Sequence, residues 1–229
     1  MICAKLTELN YNEILKYLGF RGQEISKELE DQIRHCMEET KKCCVPRLVY
    51  AIVPLLKRDG KMQAGGLCLE GNDIEELLKE CNLAVLLAAT AGSEISSRIA
   101  QIQVRDKGSA LIMDACASAA VENICNNFEA ELKDELKADN LYLTDRFSPG
   151  YGDLPLSLQK DFCAGLNTQR RIGLTVTDNF LMIPQKSVTA IMGISGKPQP
   201  KRKSGCENCN MFERCAFRKE GTTCSGGNI

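Results

Sequence analysis

A helical pattern from about Ala110 to Lys137 constrains this chain more than any other feature. Its middle is rich in alanine and its C-terminal part is charged, so one end is expected to be buried and the other solvated. Other helices and short strands are interspersed around it. Residues Glu24 to Lys42 read as an amphipathic helix, with Ile25, Leu29, Ile33, Cys36 and Met37 at helical spacing. Leu48 to Leu56 reads as a short strand in which Pro54 marks an edge or an end. LKRDGKMQAGGLCLEG reads as a turn leading into a second short strand. Asp73 is the expected N-cap of a short helix to about Cys81, and Leu83 to Thr90 reads as a buried strand. A helix over Ser93 to Val104 precedes the long one. After it come a short strand at Leu141 to Thr144, flanked by Asn140 and Asp145, and a helix at Leu156 to Leu166. Ile172 to Val176 and Phe180 to Ile194 then read as strands. No strict βαβ rhythm and no internal repeat is present, so the predicted class is α+β: a mixed or antiparallel twisted sheet flanked by helices, with a small C-terminal cysteine-rich metal module.

Composition removes several classes of function. The chain of 229 residues is 44% hydrophobic and 26% charged, as ordinary globular proteins are, and its net charge of -1 gives no drive toward nucleic acid or an anionic membrane. Tryptophan is absent and aromatic residues make up 5%, which argues against a stacking platform for single-stranded nucleic acid. No segment reaches the roughly 20 apolar residues that span a bilayer. The start MICAKLTELNYNE lacks the basic n-region and apolar centre of a secretory signal, so the expected location is cytoplasmic.

Thirteen cysteines are many for such a chain. Cys36, Cys68, Cys81, Cys116, Cys125 and Cys163 are scattered singly through apolar patterns, where a thiol acts as a small hydrophobe. Abundant free cysteine fits a reducing, anaerobic cell. Only Cys206, Cys209, Cys215 and Cys224 have ligand-like spacing, C-x2-C-x5-C-x8-C. The C-x2-C pair aims two thiolates at a common centre, and the other two complete a tetrahedral zinc site or the corners of an iron–sulfur cluster. A zinc ribbon would carry a second C-x2-C pair, so the preferred reading is [4Fe–4S], with zinc as the alternative. GKPQPKRKSG, residues 196–205, reads as a solvated linker to this module.

Elsewhere the signals are thinner. His35, the only histidine, falls mid-helix and reads as a polar-face residue, which leaves a histidine-dependent hydrolase little support. TAGSEI follows a buried strand but lacks the G-x-G-x-x-G set of a dinucleotide site. The loop RFSPGYGD sets Arg146 beside two glycines and Tyr151. Such a loop either clamps a carboxylate or phosphate bidentately or is a structural turn, and spacing alone leaves the two equal.

The stretch RFSPGYGDLP, followed by IGLTVTDNFLMIPQKSVTAIMGIS, resembles the activation domain of vitamin B12-dependent methionine synthase. The shared elements are Arg146-x-x-x-Gly150-Tyr151 and Met182-x-Pro184-x-x-Ser187-Val188. The helix DACASAAVENICNNFEAEL is similar to the helix that contributes a carboxylate to that domain's pocket. NEILKYLGFRG is similar to the start of free-standing forms. The likeness spans roughly residues 8 to 195. It implies that Arg146 binds the carboxylate of S-adenosylmethionine (SAM), that Phe147, Gly150 and Tyr151 hold the nucleoside, and that Glu122 faces the ligand's cationic end. It also implies a further acid near the N-terminus, for which Glu13 is the candidate. Two departures stand out. GDLPLSLQKD replaces a more polar Cys/His-containing sequence after the glycine–tyrosine pair, and the linker and cysteine tail replace the segment beyond the last strand.

The resemblance divides the chain into a methionine synthase activation-like domain (1–195), a linker (196–205) and a four-cysteine tail (206–229). It implies a SAM-binding component of cobalamin-dependent methionine synthase activity, acting on the cobalamin of a separate corrinoid methyltransferase and served by an electron donor. The competing readings are a non-catalytic adaptor with a structural zinc tail, and nucleic-acid binding through KPQPKRKSG, for which the basic surface is too small.

Overall fold

The structure, a computed structural model, describes residues 2–20, 22–58 and 61–199. The four cysteines Cys206, Cys209, Cys215 and Cys224, and the linker from residue 200 onward, lie outside the described residues. Along the chain come α1 (Tyr11–Tyr17), α2 (Lys27–Cys43), β1 (Arg47–Arg58), β2 (Lys61–Ala64), β3 (Leu67–Leu69), α3 (Asn72–Leu78) and β4 (Leu83–Thr90). They are followed by α4 (Ser93–Gln103), α5 (Lys107–Lys137), β5 (Tyr142–Leu143), α6 (Leu158–Leu166), α7 (Thr168–Ile172), β6 (Thr175–Val176), β7 (Met182–Ile183) and β8 (Ser187–Ser195).

The fold is α+β, as predicted. Six strands form a sheet of order β3-β2-β1-β4-β8-β5 in which every pairing is antiparallel, and β6 pairs with β7 in a separate hairpin. Helices cover both faces of the sheet. On one face Ala84, Leu86 and Ala88 of β4 join Leu78 of α3 and Phe162 of α6. On the other, Val85, Leu87 and Ala89 meet Val121, Ile124 and Phe128 of α5. A strand covered on both faces is apolar at every position, so β4 reads as an unbroken run although its partners are antiparallel.

The helix α5, at 31 residues about 46 Å long, is buried along two stripes. One lies on the sheet. The other, with Met113, Cys116, Ala119 and Ala120, packs against Ile14 of α1 and Ile33 and Cys36 of α2. Alanines in the middle of α5 let neighbours approach on both sides. Side chains start the helices: Asn10, Ser26 and Asp106 accept from the backbone N–H three residues on, opening α1, α2 and α5. Cys36, Cys81, Cys116, Cys125 and Cys163 are buried, and burial pushes the thiols of Cys81 to about 11 and of Cys116 and Cys125 to about 12, so they stay protonated and inert. No helix among the described residues is long and apolar enough to cross a membrane.

Several expectations need correction. Pro54 is at neither an edge nor an end: β1 pairs with β4 over Arg47 to Pro54 and with β2 from Leu55, so the proline stands at the handover. LKRDGKMQAGGLCLEG holds two short strands, β2 and β3, rather than one. Phe180 to Ile194 is two strands, because the chain pauses at Pro184 before Ser187 opens β8, and Ile172 closes α7 instead of starting a strand. Asp73 does not cap α3. Gly71 holds that position without a side-chain hydrogen bond, and a residue 80 positions away does the capping.

Candidate ligand site

After β5 the chain stays extended, and Phe147 makes a two-way bridge to Ile191 of β8, with N–O distances of 2.9 and 2.7 Å. Successive side chains of extended backbone point to opposite faces. The Phe147 ring therefore enters the core under the sheet, where it is 1% exposed, and the guanidinium of Arg146 emerges toward α5. There it meets three residues of one α5 face, at i, i+4 and i+7. Its Nη2 donates to Asn126 Oδ1 at 2.5 Å and stands 3.1 Å from Glu122 Oε2, while Nε stands 3.3 Å from Glu129 Oε2. Burial opposes the arginine charge, but Cys125, Glu122 and Glu129 more than offset it and raise the pKa. Arg146 Nη1 is left buried with no hydrogen-bond partner.

The loop beyond is held in place by its own bonds and by α3. Gly150 N–H donates to Leu154 O at 2.9 Å, and Tyr151 N–H to Ser148 O at 3.0 Å. Asp153 accepts from the backbone N–H of Asn72 at 2.6 Å and of Asp73 at 3.2 Å. A carboxylate there complements the orphan amides and positive end of the helix. Gly152, at φ +53°, lets the loop fold closely against Asp73 and the Phe147 ring.

Between α5 and this loop lies a cavity of about 420 Å³, lined by Glu122, Asn126, Glu129, Asp145, Arg146, Phe147, Ser148, Tyr151 and Val188. Tyr151 is 66% exposed at its mouth. Glu13 stands beside it on α1: burial, then the charge of Glu122, raises its pKa, and Tyr17 and Arg146 act in the opposite direction. The fold thus assembles Glu13, Glu122, Arg146 and Tyr151, drawn from three distant stretches of chain. Gly150 lies in the same loop at φ +89°, where an added Cβ would meet Leu156 Cδ1 at 3.1 Å, and Phe147 contributes wall rather than an exposed ring. Carboxylates outnumber the single guanidinium, so the cavity suits a ligand carrying positive charge next to one acceptor group.

Two larger cavities, of about 550 and 650 Å³, lie between α3 and the β1–β2 pair and among α2, α4 and the start of α5. Among the described residues, the buried side-chain atoms without partners belong to Thr40, Ser96 and Arg146, and only Arg146 lines one of these three cavities. That makes the smaller cavity the better candidate. No cluster of His, Cys, Asp or Glu among the described residues could hold a metal ion. Sequence reasoning missed Asn126, Glu129, Asp153 and Tyr17. Helical spacing from Glu122 would have indicated Asn126 and Glu129; the long-range contacts of Asp153 and Tyr17 leave no local signal.

No protein-family model and no curated protein matches the sequence. Among solved structures the chain is similar to a crystal structure of the MetH reactivation domain bound to AdoHcy, with a TM-score of 0.59 and 14% identity over 94% of this chain and 78% of that one. At that identity the likeness is one of overall fold.

Proposed function

We propose that this protein binds SAM in the Arg146 cavity and presents it to the cobalamin of a separate corrinoid protein, a methionine synthase or related methyltransferase, for reductive remethylation. The observation that carries this reading is the Arg146 guanidinium in a cavity ringed by Glu122, Glu129 and Asp145, on a fold shared with a domain crystallised with AdoHcy. The guanidinium holds Asn126, Glu122 and Glu129 through Nη2 and Nε, with Nη1 sealed behind them, so a ligand carboxylate engages Arg146 by displacing one of these partners, which exchanges one charge-assisted contact for another. Glu122, Glu129 and Asp145 around it, with Glu13 alongside, favour the ligand's ammonium and sulfonium. SAM carries all three groups.

In this reading Arg146 fixes the amino-acid end of SAM, the loop from Ser148 to Tyr151 holds the nucleoside, and the acids orient the cationic centre. The partner's corrinoid supplies the bond-making chemistry once one electron has been returned to it; the chain supplies binding and orientation. We further propose the tail cysteines Cys206, Cys209, Cys215 and Cys224 as ligands of a [4Fe–4S] cluster that passes in this electron, with zinc, as a structural clip, the alternative. Iron, sulfide and zinc analysis of anaerobically purified protein, with EPR after dithionite reduction, separates the two. A colourless protein with one zinc per chain removes the relay.

The functional test is reconstitution. A corrinoid methyltransferase poised as cob(II)alamin, given SAM and a low-potential reductant, is expected to regain its methylcobalamin spectrum when this chain is added and not with Arg146→Ala. Equal recovery without the chain would favour the adaptor reading.

A further inference from the structure

The cavity's lining comes from α5, β8 and the loop Asp145 to Tyr151, and none of it from α1. Yet α1 is docked beside it. Ile14, 0% exposed, packs with Met113, Cys116 and Ala120 of α5, and Leu18 packs against the same cluster. Residues four apart share a helix face, so seating Ile14 and Leu18 on α5 sets Glu13 and Tyr17, one position earlier in each turn, along the adjoining flank. Glu122 lies on α5 just beyond the alanines that α1 contacts.

The surroundings of Tyr17 agree with that placement. Its phenol is pushed up to about 12 by burial first, then by Glu122, Glu13 and Tyr151, and it hydrogen-bonds Glu13. Of these neighbours, Glu122 and Tyr151 line the cavity. Tyr17 is nonetheless 48% exposed and belongs to no core cluster, so packing does not explain a large aromatic there. Helix α1 ends at once after it, with Leu18 as C-cap and Gly19 at φ +84°, which leaves the ring at the helix end, clear of a further turn.

We infer that Tyr17 is a specificity-determining residue of this site, its ring closing the α1 side of the cavity over the base of a bound adenine nucleoside while Tyr151 flanks the other side. The inference rests on the SAM reading. It assigns Tyr17 aromatic cover, which tolerates loss of the hydroxyl, rather than a hydrogen-bonding duty, which does not.

The whole chain contains no tryptophan, so Tyr17→Trp creates a single fluorescent reporter. Calorimetric titration with SAM is expected to show Tyr17→Ala binding about ten-fold or more weakly, the scale of losing one base–aromatic stack, and Tyr17→Phe within about two-fold of wild type. Melting temperatures should stay at the wild-type value. Emission from Tyr17→Trp should change on SAM addition, with the midpoint found by calorimetry. Three results overturn the inference while leaving the SAM reading intact: wild-type affinity in Tyr17→Ala, equal losses in the alanine and phenylalanine variants, or tryptophan emission unmoved by saturating SAM. A wild type that gives no SAM heat removes the functional reading and this inference together.

Discussion

Replacing Gly152 by alanine strains the loop that carries Tyr151 in two ways. Its φ is +53°, where a residue with a side chain costs about 1–2 kcal/mol. A Cβ there would also overlap Asp73 Oδ2 and stand 3.1 Å from both Asp73 Cγ and Phe147 Cζ. Moving the Asp73 carboxylate aside relieves part of this only by giving up the interaction it makes. Phe147, 1% exposed, has no free volume to yield, and overpacking of this kind costs about 1–3 kcal/mol. With Asp73 relieving part of the crowding, the sum is about 2–4 kcal/mol, or a fall of roughly 5–15 °C in melting temperature for a chain of this size. Urea unfolding followed by circular dichroism should show the midpoint shift at constant m-value. Gly152→Asn keeps the crowding but tolerates the left-handed backbone better, so it should lose about 1 kcal/mol less than alanine. A change below about 0.5 kcal/mol in Gly152→Ala, or an asparagine variant weaker than the alanine one, would refute the reasoning.

Other predictions follow from contacts away from the loop's tip. Asp153→Ala removes the capping of α3 and should cost about 1 kcal/mol in urea unfolding, with Asp153→Asn losing less because it keeps one acceptor. In Gly193→Ala a new Cβ overlaps Cys81 Sγ and comes within 2.7 Å of Leu78 Cδ2, so stability should fall by about 1–3 kcal/mol, and Cys81→Ala in the same chain should restore part of it. Burial and Glu122 raise the pKa of Glu13 in the folded state, so folding favours its protonated form and its ionisation costs stability as pH rises through that pKa. Ligand-free Glu13→Gln should accordingly be more stable than wild type at pH 7, with the gain vanishing below the ordinary carboxylate range; a pH-independent difference would contradict the placement of Glu13.

Much of the architecture was legible because it is written in local periodicity. Leu83 to Thr90 is β4 to the residue, and the alanine-rich pattern marked α5 as a long, partly buried helix, although its packing on two sides shows only in the structure. What local pattern could not show depends on distant partners. Asp73 looked like a cap because it precedes a helical pattern, but the helix already begins at Asn72, and Asp153 reaches its first amides, those of Asn72 and Asp73, across the fold. Phe147 looked available to a ligand, but its bridge to Ile191 decides which way an extended chain points its side chains. Pro184, with Gln185 and Lys186 after it, divides a stretch that its β-branched and apolar residues read as one strand. At the site, spacing alone left the Arg146–Tyr151 loop open between clamp and turn; the resemblance named Arg146, Tyr151, Glu122 and Glu13, and the fold brings these four together. Glu129, which shares the guanidinium, was within reach of helical spacing from Glu122, whereas Tyr17, which depends on how α1 docks, comes only from three dimensions.

The central claim is that the Arg146 cavity is a SAM site, and calorimetric titration of the full chain with SAM tests it most directly. Saturable binding of one SAM per chain, lost in Arg146→Ala at an unchanged circular dichroism spectrum, is the expected result. Absence of binding by the wild type, or undiminished binding by Arg146→Ala, would contradict it.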